Sequence, residues 1–236
     1  MMTQMLLFEP LDCTYERVFR ELKPRTSVPQ FSIRFHPYAN LDSKISIDPE
    51  RSHITVKLSD VLEKAPLPVL EALSYILLCK LYRKPVPAKH DHRYRIYVNR
   101  AEVRNEALLV RQARGRKPKQ SPKGSFYDLD ELFDGLNQRF FDGKLSRPVL
   151  SWSRRVSRQS LGYYDPAHDL IVISKLFDSA EVPRFLVDYI LYHEMLHVKH
   201  PAEHRSVRRC VHTKQFKAEE RRFPRYSEAI QLLKSI

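Results

Sequence analysis

The second half of the chain has a pattern of apolar and polar positions that predicts a helix, a strand, a hairpin and another helix. From 129 to 141, apolar side chains recur at the spacing of one helical face, and an Asp-Gly pair ends the pattern. The stretch PVLSWS then predicts a strand, and LGYYDPAHDLIVIS predicts a hairpin turning at Asp165-Pro166. After Pro183, the segment RFLVDYILYHEMLHVKH is apolar on more than one side, which predicts a buried helix.

The first half follows the same order of elements. A predicted helix around 12–23 precedes the strand QFSIRF, and KISIDPERSHITVKLS predicts a hairpin turning at Asp48-Pro49. Prolines again open the next predicted helix, LPVLEALSYILLCKLYRK. A shift of 117 positions places Asp48-Pro49 on Asp165-Pro166, and a shift of 114 places SYILLCKLY on DYILYHEML. We therefore expect an internal duplication within an α+β fold; two units that share only generic patterning are the alternative.

Charge divides the chain between these halves. There are 41 basic and 28 acidic residues, and nearly half of the excess lies in the stretch RQARGRKPKQSPKGS at 111–125. This composition cannot build a core, so it predicts a linker between a domain at 1–110 and a domain at 126–236. A flexible basic arm favours contact with nucleic acid, because neutralising phosphates releases counterions; a solvated tether is the alternative. The candidate contacts are Arg111, Arg114, Arg116, Lys117, Lys119 and Lys123.

The remaining composition restricts the class of protein. No apolar run reaches the roughly 18 residues that a membrane span requires. The opening segment MMTQMLLFEPLD lacks a basic start and soon becomes acidic, so we expect no signal peptide. Three widely spaced cysteines, Cys13, Cys79 and Cys210, favour a reducing cytoplasm over a disulfide framework or a zinc ribbon.

The last long predicted helix carries the sequence H-E-x-x-H. His193 and His197 are four residues apart, so they share a helical face and can present two imidazole nitrogens to one zinc ion. Zinc with an open coordination position lowers the pKa of its bound water. Glu194 would take the proton as that water attacks a peptide carbonyl and then pass it to the leaving amine. Two satisfied core histidines are the alternative interpretation.

The third metal ligand remains open on the residues alone. The pattern H-E-x-x-H-x-x-G-x-x-H is excluded, because His200 and Glu203 stand where it needs glycine and histidine. His204 is expected in a basic loop with no element to fix it, whereas His212 is expected to open a following helix that could hold it rigidly. The candidates are His200, His204, His212, Glu219 and Glu220.

Four segments of the second half carry a family resemblance. The stretches LNQRFFDGKLSRPVLSWSRR, LGYYD, YHEMLH and HTKQF resemble the SprT-like (Spartan-type) zinc metallopeptidase domain, with the YgjP-like metallopeptidases as a close cousin. The resemblance covers about 126–223. It implies a zincin-like fold, one zinc ion held by His193, His197 and His212, and Glu194 as the catalytic base. It also implies protein substrates, often bound to DNA.

The chain departs from the family pattern in three places. The residue after His212 is Thr213, where the family usually has glycine, and no C-terminal cysteine zinc ribbon is present. The first 110 residues lie outside the usual domain. Under the duplication, that half would be a degenerate copy without the ligand pair, because Cys79 and Lys80 stand where the second half has His193 and Glu194. A nucleic-acid-binding or scaffold protein with a structural or relict zinc site is the competing function.

Overall fold

The computed structural model describes residues 10–117, 119–205 and 207–235, with the side chains of Arg205 and Arg208 left out. The chain divides into two compact units. Of the described residues, unit 1 extends to Gly115, and unit 2 comprises those from Arg116 to Arg205 and from Arg209 onward. The architecture is α+β, as predicted, with small sheets and eight α-helices in the described part.

Unit 1 contains one mixed three-stranded sheet and four helices. Strand β3 lies at the centre of the sheet, parallel to β1 and antiparallel to β2. Its inward side chains, Ile54, Val56 and Leu58, are buried in a core with apolar residues of the first two helices. The elements are α1 (Leu11–Leu22), β1 (Gln30–His36), β2 (Ser43–Ile47), β3 (His53–Ser59), α2 (Leu67–Leu81), α3 (Ala88–Val98) and α4 (Ala101–Arg114).

Unit 2 contains a second mixed three-stranded sheet, a two-stranded sheet and four helices. The central strand β6 is parallel to β4 and antiparallel to β5, and its Ile171 and Ile173 are buried in the core of this unit. Asp128 caps the first helix by accepting a hydrogen bond from the Asp130 backbone N–H at 2.9 Å. The elements are α5 (Leu129–Phe140), β4 (Val149–Trp152), β5 (Gly162–Asp165), β6 (Leu170–Ile173), α6 (Arg184–Lys199), β7 (Glu203–Arg205), β8 (Arg208–Cys210), α7 (Lys214–Glu220) and α8 (Tyr226–Leu233).

The two three-stranded sheets have the same topology. Each has its first strand beside its last, in parallel, and its second strand at the opposite edge, in antiparallel pairing. Both hairpins turn at the predicted Asp-Pro pair, Asp48-Pro49 or Asp165-Pro166. The register on the parallel side is also shared: the matching pairs are Ile33–Val56 with Leu150–Ile171, and Phe35–Leu58 with Trp152–Ile173.

Helix α6 lies within the core of unit 2, which explains its lack of a polar face. Pro183 precedes its first residue, and its apolar side chains pack against α5, the sheet and the C-terminal helices. The helix ends at Lys199, with His200 as its C-cap, and Pro201 follows. The side chains of the H-E-x-x-H segment therefore project from a rigid element.

Several segments differ from the sequence-based expectation. The expected linker 111–125 is helical up to Arg114, because the last turn of α4 consists of good helix formers, arginine, glutamine and alanine. Arg114 also forms an ion pair with Asp60 at 2.8 Å. Further along, the Gln120 backbone N–H donates to Ser151 Oγ at 2.8 Å within unit 2. His204, expected in a loop, lies in β7 of the two-stranded sheet.

Within the described ranges, no helix has both the length and the hydropathy needed to cross a membrane.

Candidate metal centre

Helix α6 places three functional side chains at the cleft of unit 2. His193 and His197 lie one turn apart on the same helical face, and their ring centroids are 5.0 Å apart. Glu194 is the neighbour of His193 along the helix and is only 5% exposed. This arrangement follows from the helical spacing that the sequence predicts.

His212 completes the cluster from a different part of the chain. Its Nε2 atom lies 3.3 Å from Nε2 of His193 and 3.3 Å from Nε2 of His197. We expected His212 to open a helix, but α7 begins at Lys214, and Thr213 is its N-cap, accepting a hydrogen bond from the Phe216 N–H at 3.2 Å. His212 therefore lies just before the cap, where the capped turn fixes the backbone beside it.

The three imidazoles fit one metal ion. Among the described residues, they form the single group of histidine, cysteine or acidic side chains close enough to share an ion, with ligand atoms within 4.8 Å of one another. Three nitrogens at zinc-like bond lengths and tetrahedral angles would lie about 3.3–3.4 Å apart, which matches the distances from His212 Nε2. The cluster could hold a metal ion.

The hydrogen bonds of His193 orient its lone pair toward the cluster. Its Nδ1 lies 2.6 Å from Glu220 Oε1, and the same oxygen accepts a hydrogen bond from the Tyr189 hydroxyl at 2.9 Å. An ionised carboxylate can only accept a hydrogen bond, so Nδ1 carries the proton. The unprotonated Nε2 therefore keeps a lone pair that can bind a metal ion. Sequence reasoning considered Glu220 as a ligand but did not identify this orienting role.

Burial also favours neutral imidazoles in the cluster. It lowers the pKa of His197 to about 4, with a further contribution from the charges of His193 and His212. Burial likewise lowers the pKa of His212, followed by the charge of His193. Metal ligation requires the neutral ring, so both residues are in the ligand form at neutral pH.

Phe216 forms the floor of the cluster. Its ring is fully buried and lies 5.1 Å from the ring centroid of His193, 4.6 Å from that of His197 and 4.8 Å from that of His212. The Phe216 ring covers one side of the cluster, where it excludes water and holds the three imidazole rings in place. Phe216 is four residues after His212, about one helical turn along the chain.

The other candidates for the third ligand have different partners. Glu219 forms an ion pair with Lys199 at 2.7 Å and lies 3.2 Å from His200 Nε2. Glu220 binds His193 Nδ1, on the side of the ring away from the cluster. His204 lines the same cleft from β7 but is not part of the metal-binding group. Of the five candidates, His212 is the one that joins His193 and His197.

Glu194 has an unusual environment for a carboxylate. Burial raises its pKa to about 7, although the charge of His193 and a hydrogen bond from the Tyr164 backbone N–H act in the opposite direction. Gly162 on β5 allows the close approach: a Cβ atom there would lie 3.1 Å from Glu194 Oε1 and 3.2 Å from its Cγ. The edge strand β5 and the helix thus hold the carboxylate between them. No sequence signal indicated the role of Gly162.

The cluster opens into a cleft of about 510 Å³. Tyr163 lines it and is 36% exposed, whereas the Tyr164 hydroxyl is hydrogen-bonded to Asp169 Oδ1 at 3.1 Å. Arg209 contributes a positive charge to the wall. The described residues thus place three histidines that could hold a metal ion and one buried carboxylate beside an open cleft.

The predicted nucleic-acid contacts do not form one continuous arm. Arg111 and Arg114 lie in α4 of unit 1, and the other four residues belong to unit 2. Lys117 lies 3.8 Å from Asp165 and over the ring of Tyr163. Arg116, Lys119 and Lys123 are exposed.

Comparisons of the chain with protein-family models, with curated proteins and with solved structures found no match.

Proposed function

We propose that this protein is a zinc-dependent metallopeptidase whose active site is the cleft of unit 2. The observation that carries the proposal is the convergence of three histidine Nε2 atoms beside a buried carboxylate in an open cleft. Structural zinc sites normally have four protein ligands, whereas catalytic sites have three and an open position. The described cluster has three.

The donor set favours zinc. Neutral imidazoles suit zinc among the common first-row metals, and the spacing of the nitrogens fits its tetrahedral preference. Bound here, zinc would supply Lewis acidity, lowering the pKa of water and polarising a carbonyl oxygen. His193, His197 and His212 would hold it, and Glu220 would keep His193 in the required tautomer.

Glu194 is suited to proton transfer at neutral pH. A general base works best when its pKa is near the operating pH. Burial raises the pKa of Glu194 to about 7 in the metal-free protein, and a bound zinc ion would bring it down from that value. In peptide hydrolysis this carboxylate would accept a proton from the attacking water and return it to the departing amine. Gly162 and the Tyr164 N–H would hold it in position.

The fold supports the same proposal. We propose that unit 2 is a zincin-like, SprT-like domain and that unit 1 is a degenerate copy of it. The shared strand order and register are the support for duplication. In this alignment Cys79, Lys80 and Arg83 replace His193, Glu194 and His197, so unit 1 would lack both ligands and base.

The proposed substrates are proteins, including proteins bound to DNA. The exposed basic residues Arg116, Lys119 and Lys123 could contact a phosphate backbone. The competing function is a nucleic-acid-binding or scaffold protein whose zinc is structural or relict. The open cleft and the raised pKa of Glu194 favour the enzyme, since a structural site requires neither.

Proteolysis by a Glu194→Gln variant tests the proposal. Wild-type protein should degrade a denatured protein substrate, and the variant should lose this activity while keeping its metal, because Gln cannot accept the proton. Each protein is assayed with and without DNA, and metal content is measured on the same samples. Equal degradation by wild type and variant would exclude Glu194 as the base and refute the proposed mechanism.

A further inference from the structure

A second cavity of unit 2, of about 370 Å³, adjoins the metal cleft. Gly162, His193 and Glu194 line both spaces. The other walls of the second cavity come from the segment before β5, from α6 and from α8, which packs against α6. The carboxylate of Glu194 therefore lies where the two spaces meet, so a side chain bound in this cavity would be close to the bond that is cleaved.

The walls of this cavity are mainly apolar. Ile190 on α6 belongs to the core of unit 2. Leu161, Ile230 and Leu233 pack against this core but remain partly exposed, and all three line the cavity. A ligand that covers them removes apolar surface from water, which is favourable. The cavity is therefore suited to an apolar occupant.

The polar side chains of the wall already have partners. The Tyr189 hydroxyl donates to Glu220 Oε1 at 2.9 Å, and His193 Nδ1 lies 2.6 Å from the same oxygen. The charged residues of the lining are Glu194 and Glu220, and no lysine or arginine belongs to it. An acidic occupant would be repelled, and a basic one would draw Glu220 away from the imidazole that it orients. An apolar occupant leaves these hydrogen bonds intact.

Strand β5 indicates the direction in which a substrate would pass the cavity. It lies at the edge of its sheet, and Leu161, just before it, accepts a hydrogen bond from the Ser174 N–H at 2.8 Å. Backbone groups alternate in antiparallel pairing, so those of Gly162 and Tyr164 face the open edge. An extended polypeptide that pairs antiparallel with this edge has its C-terminal side toward Leu161. Its residue after the cleaved bond would then lie at the cavity.

We propose that this cavity receives a large apolar side chain, such as leucine or phenylalanine, of the substrate residue that directly follows the cleaved bond. The inference rests on the proposed function, because it assigns a substrate preference to the same active site. Leu161, Ile230 and Leu233 determine this preference, since they supply the apolar surface that the side chain covers. Small and charged side chains leave that surface exposed to water.

Two measurements on the zinc-loaded full-length protein test the proposal. The first is mass spectrometry of the sites that are cleaved in a mixed peptide library. The second is calorimetric binding of hydroxamates, which attach to a metal ion and carry a methyl, isobutyl, benzyl, aminobutyl or carboxyethyl side chain. Binding requires no turnover, so the second measurement does not depend on peptidase activity.

Three variants of α8 accompany the wild type. Ile230→Phe fills the cavity, and Leu233→Ala enlarges it. Leu232→Phe is the matched control, since Leu232 belongs to the same helix, is 36% exposed and does not line the cavity. Because the two cavity variants change its size in opposite directions, either of them tests the proposal if the other fails to fold.

We expect the wild type to cleave mainly before leucine and phenylalanine. It should bind the isobutyl and benzyl hydroxamates about tenfold more tightly than the methyl one, since each added carbon covers more of the apolar wall. Ile230→Phe should lose this preference, and Leu233→Ala should shift it toward the benzyl group. The control should behave like the wild type.

The two measurements separate this inference from the proposed function. Tighter binding of the apolar hydroxamates without any peptide cleavage would support the cavity assignment and refute the peptidase. Equal affinity for all the hydroxamates, no binding of any, or a preference for the aminobutyl group would overturn the inference. Peptide cleavage in that case would leave the proposed function standing.

Discussion

At the scale of single residues, the proposed metal centre depends on a carboxylate that lies outside the cluster of three histidines. Glu220 accepts hydrogen bonds from His193 Nδ1 at 2.6 Å and from the Tyr189 hydroxyl at 2.9 Å. These contacts fix the tautomer and orientation of the His193 ring. Partners of this kind are energetically important, because a misoriented imidazole is a poor ligand.

Replacement of Glu220 should therefore weaken metal binding. We expect Glu220→Ala to lower zinc affinity about 10–100-fold, measured by competition with a chromophoric chelator. Glu219→Ala is the matched control, since Glu219 lies next in the chain and contacts Lys199 and His200 instead of a clustered histidine. Equal losses in the two variants would show that Glu220 has no specific role.

The close approach of Gly162 to Glu194 leads to a second prediction. A Cβ atom at Gly162 would lie 3.1 Å from Glu194 Oε1 and 3.2 Å from Ile173 Cδ1. Gly162→Ala should displace the carboxylate and reduce peptidase turnover by about 10–100-fold, with unchanged metal content. Gly135→Ala is the control, because nothing lies within 4 Å of a Cβ atom there. Full activity of Gly162→Ala would contradict this positioning role.

The same residues show how far sequence reasoning reaches. His193, Glu194 and His197 were predictable because helical spacing alone brings them together. The third member of the cluster stayed open on the residues alone, because Glu219, Glu220 and His212 follow α6 within a short stretch and the sequence does not specify their side-chain partners. The family resemblance named His212, and the structure brings His212 to His193 and His197. Gly162 was missed because its importance depends on a carboxylate distant in the chain.

At the scale of elements, Asp178 ties the segment before α5 to the rest of unit 2. Its carboxylate accepts hydrogen bonds from the backbone N–H groups of Ser125, Phe126 and Tyr127, at 2.7, 2.9 and 3.2 Å. A Cβ atom at Gly124 would lie 2.4 Å from Asp178 Oδ1, so only glycine fits there. The conformation of the segment that leads into α5 therefore depends on the Asp178 carboxylate.

This contact should make stability depend on pH. Partial burial acts to raise the pKa of Asp178, but the three N–H donors lower it more, so the pKa in the folded state is below its ordinary value. The contribution of Asp178 to the free energy of unfolding is fully present above its pKa in the unfolded chain, about 3.9. This contribution is lost as the pH falls through the lower pKa of the folded state. We expect Asp178→Asn to lower the free energy of unfolding by about 1–2 kcal/mol at pH 7.

Chemical denaturation at pH 7 and near pH 3 measures this difference. The effect of Asp178→Asn should shrink at the lower pH, where wild type begins to lose the same charge. Asp142→Asn is the control, since the Asp142 side chain is 82% exposed and its ion pair with Lys144 lies on the surface. An Asp178→Asn effect that is the same at both pH values would contradict the account.

The helices α3 and α4 and the strands β7 and β8, which sequence reasoning missed, lack the pattern it depends on. Helix α3 buries only His90 and Tyr97, and α4 buries only Val103, so neither has a continuous apolar face. The strands β7 and β8 consist largely of charged residues and have no alternation of apolar positions. The strands of the two main sheets were predictable because their apolar residues line a buried core.

At the scale of the whole molecule, each unit has its own hydrophobic core. The core of unit 1 includes Tyr15, Phe19 and Leu78, and that of unit 2 includes Phe133 and Phe216. The metal cluster belongs to unit 2 alone. Metal binding should therefore stabilise one unit and leave the intrinsic stability of the other unchanged.

Scanning calorimetry with and without a chelator tests this division. We expect two unfolding transitions. Removing the metal should lower the temperature of one of them, and the free energy of unfolding of that unit should fall by about 2.7 kcal/mol relative to metal at a hundred times its Kd. His212→Ala should lower the same transition and make it insensitive to the chelator. A uniform shift of both transitions would show that the units do not unfold separately.

The coordination of the bound metal tests the central claim most directly. X-ray absorption on the zinc-loaded protein should show three imidazole nitrogens and one solvent oxygen, all about 2.0–2.1 Å from the metal, and no sulfur. His212→Ala should lose one of the imidazoles. A fourth protein ligand, such as a sulfur at about 2.3 Å from Cys210, or a spectrum unchanged in His212→Ala, would contradict an open three-histidine site.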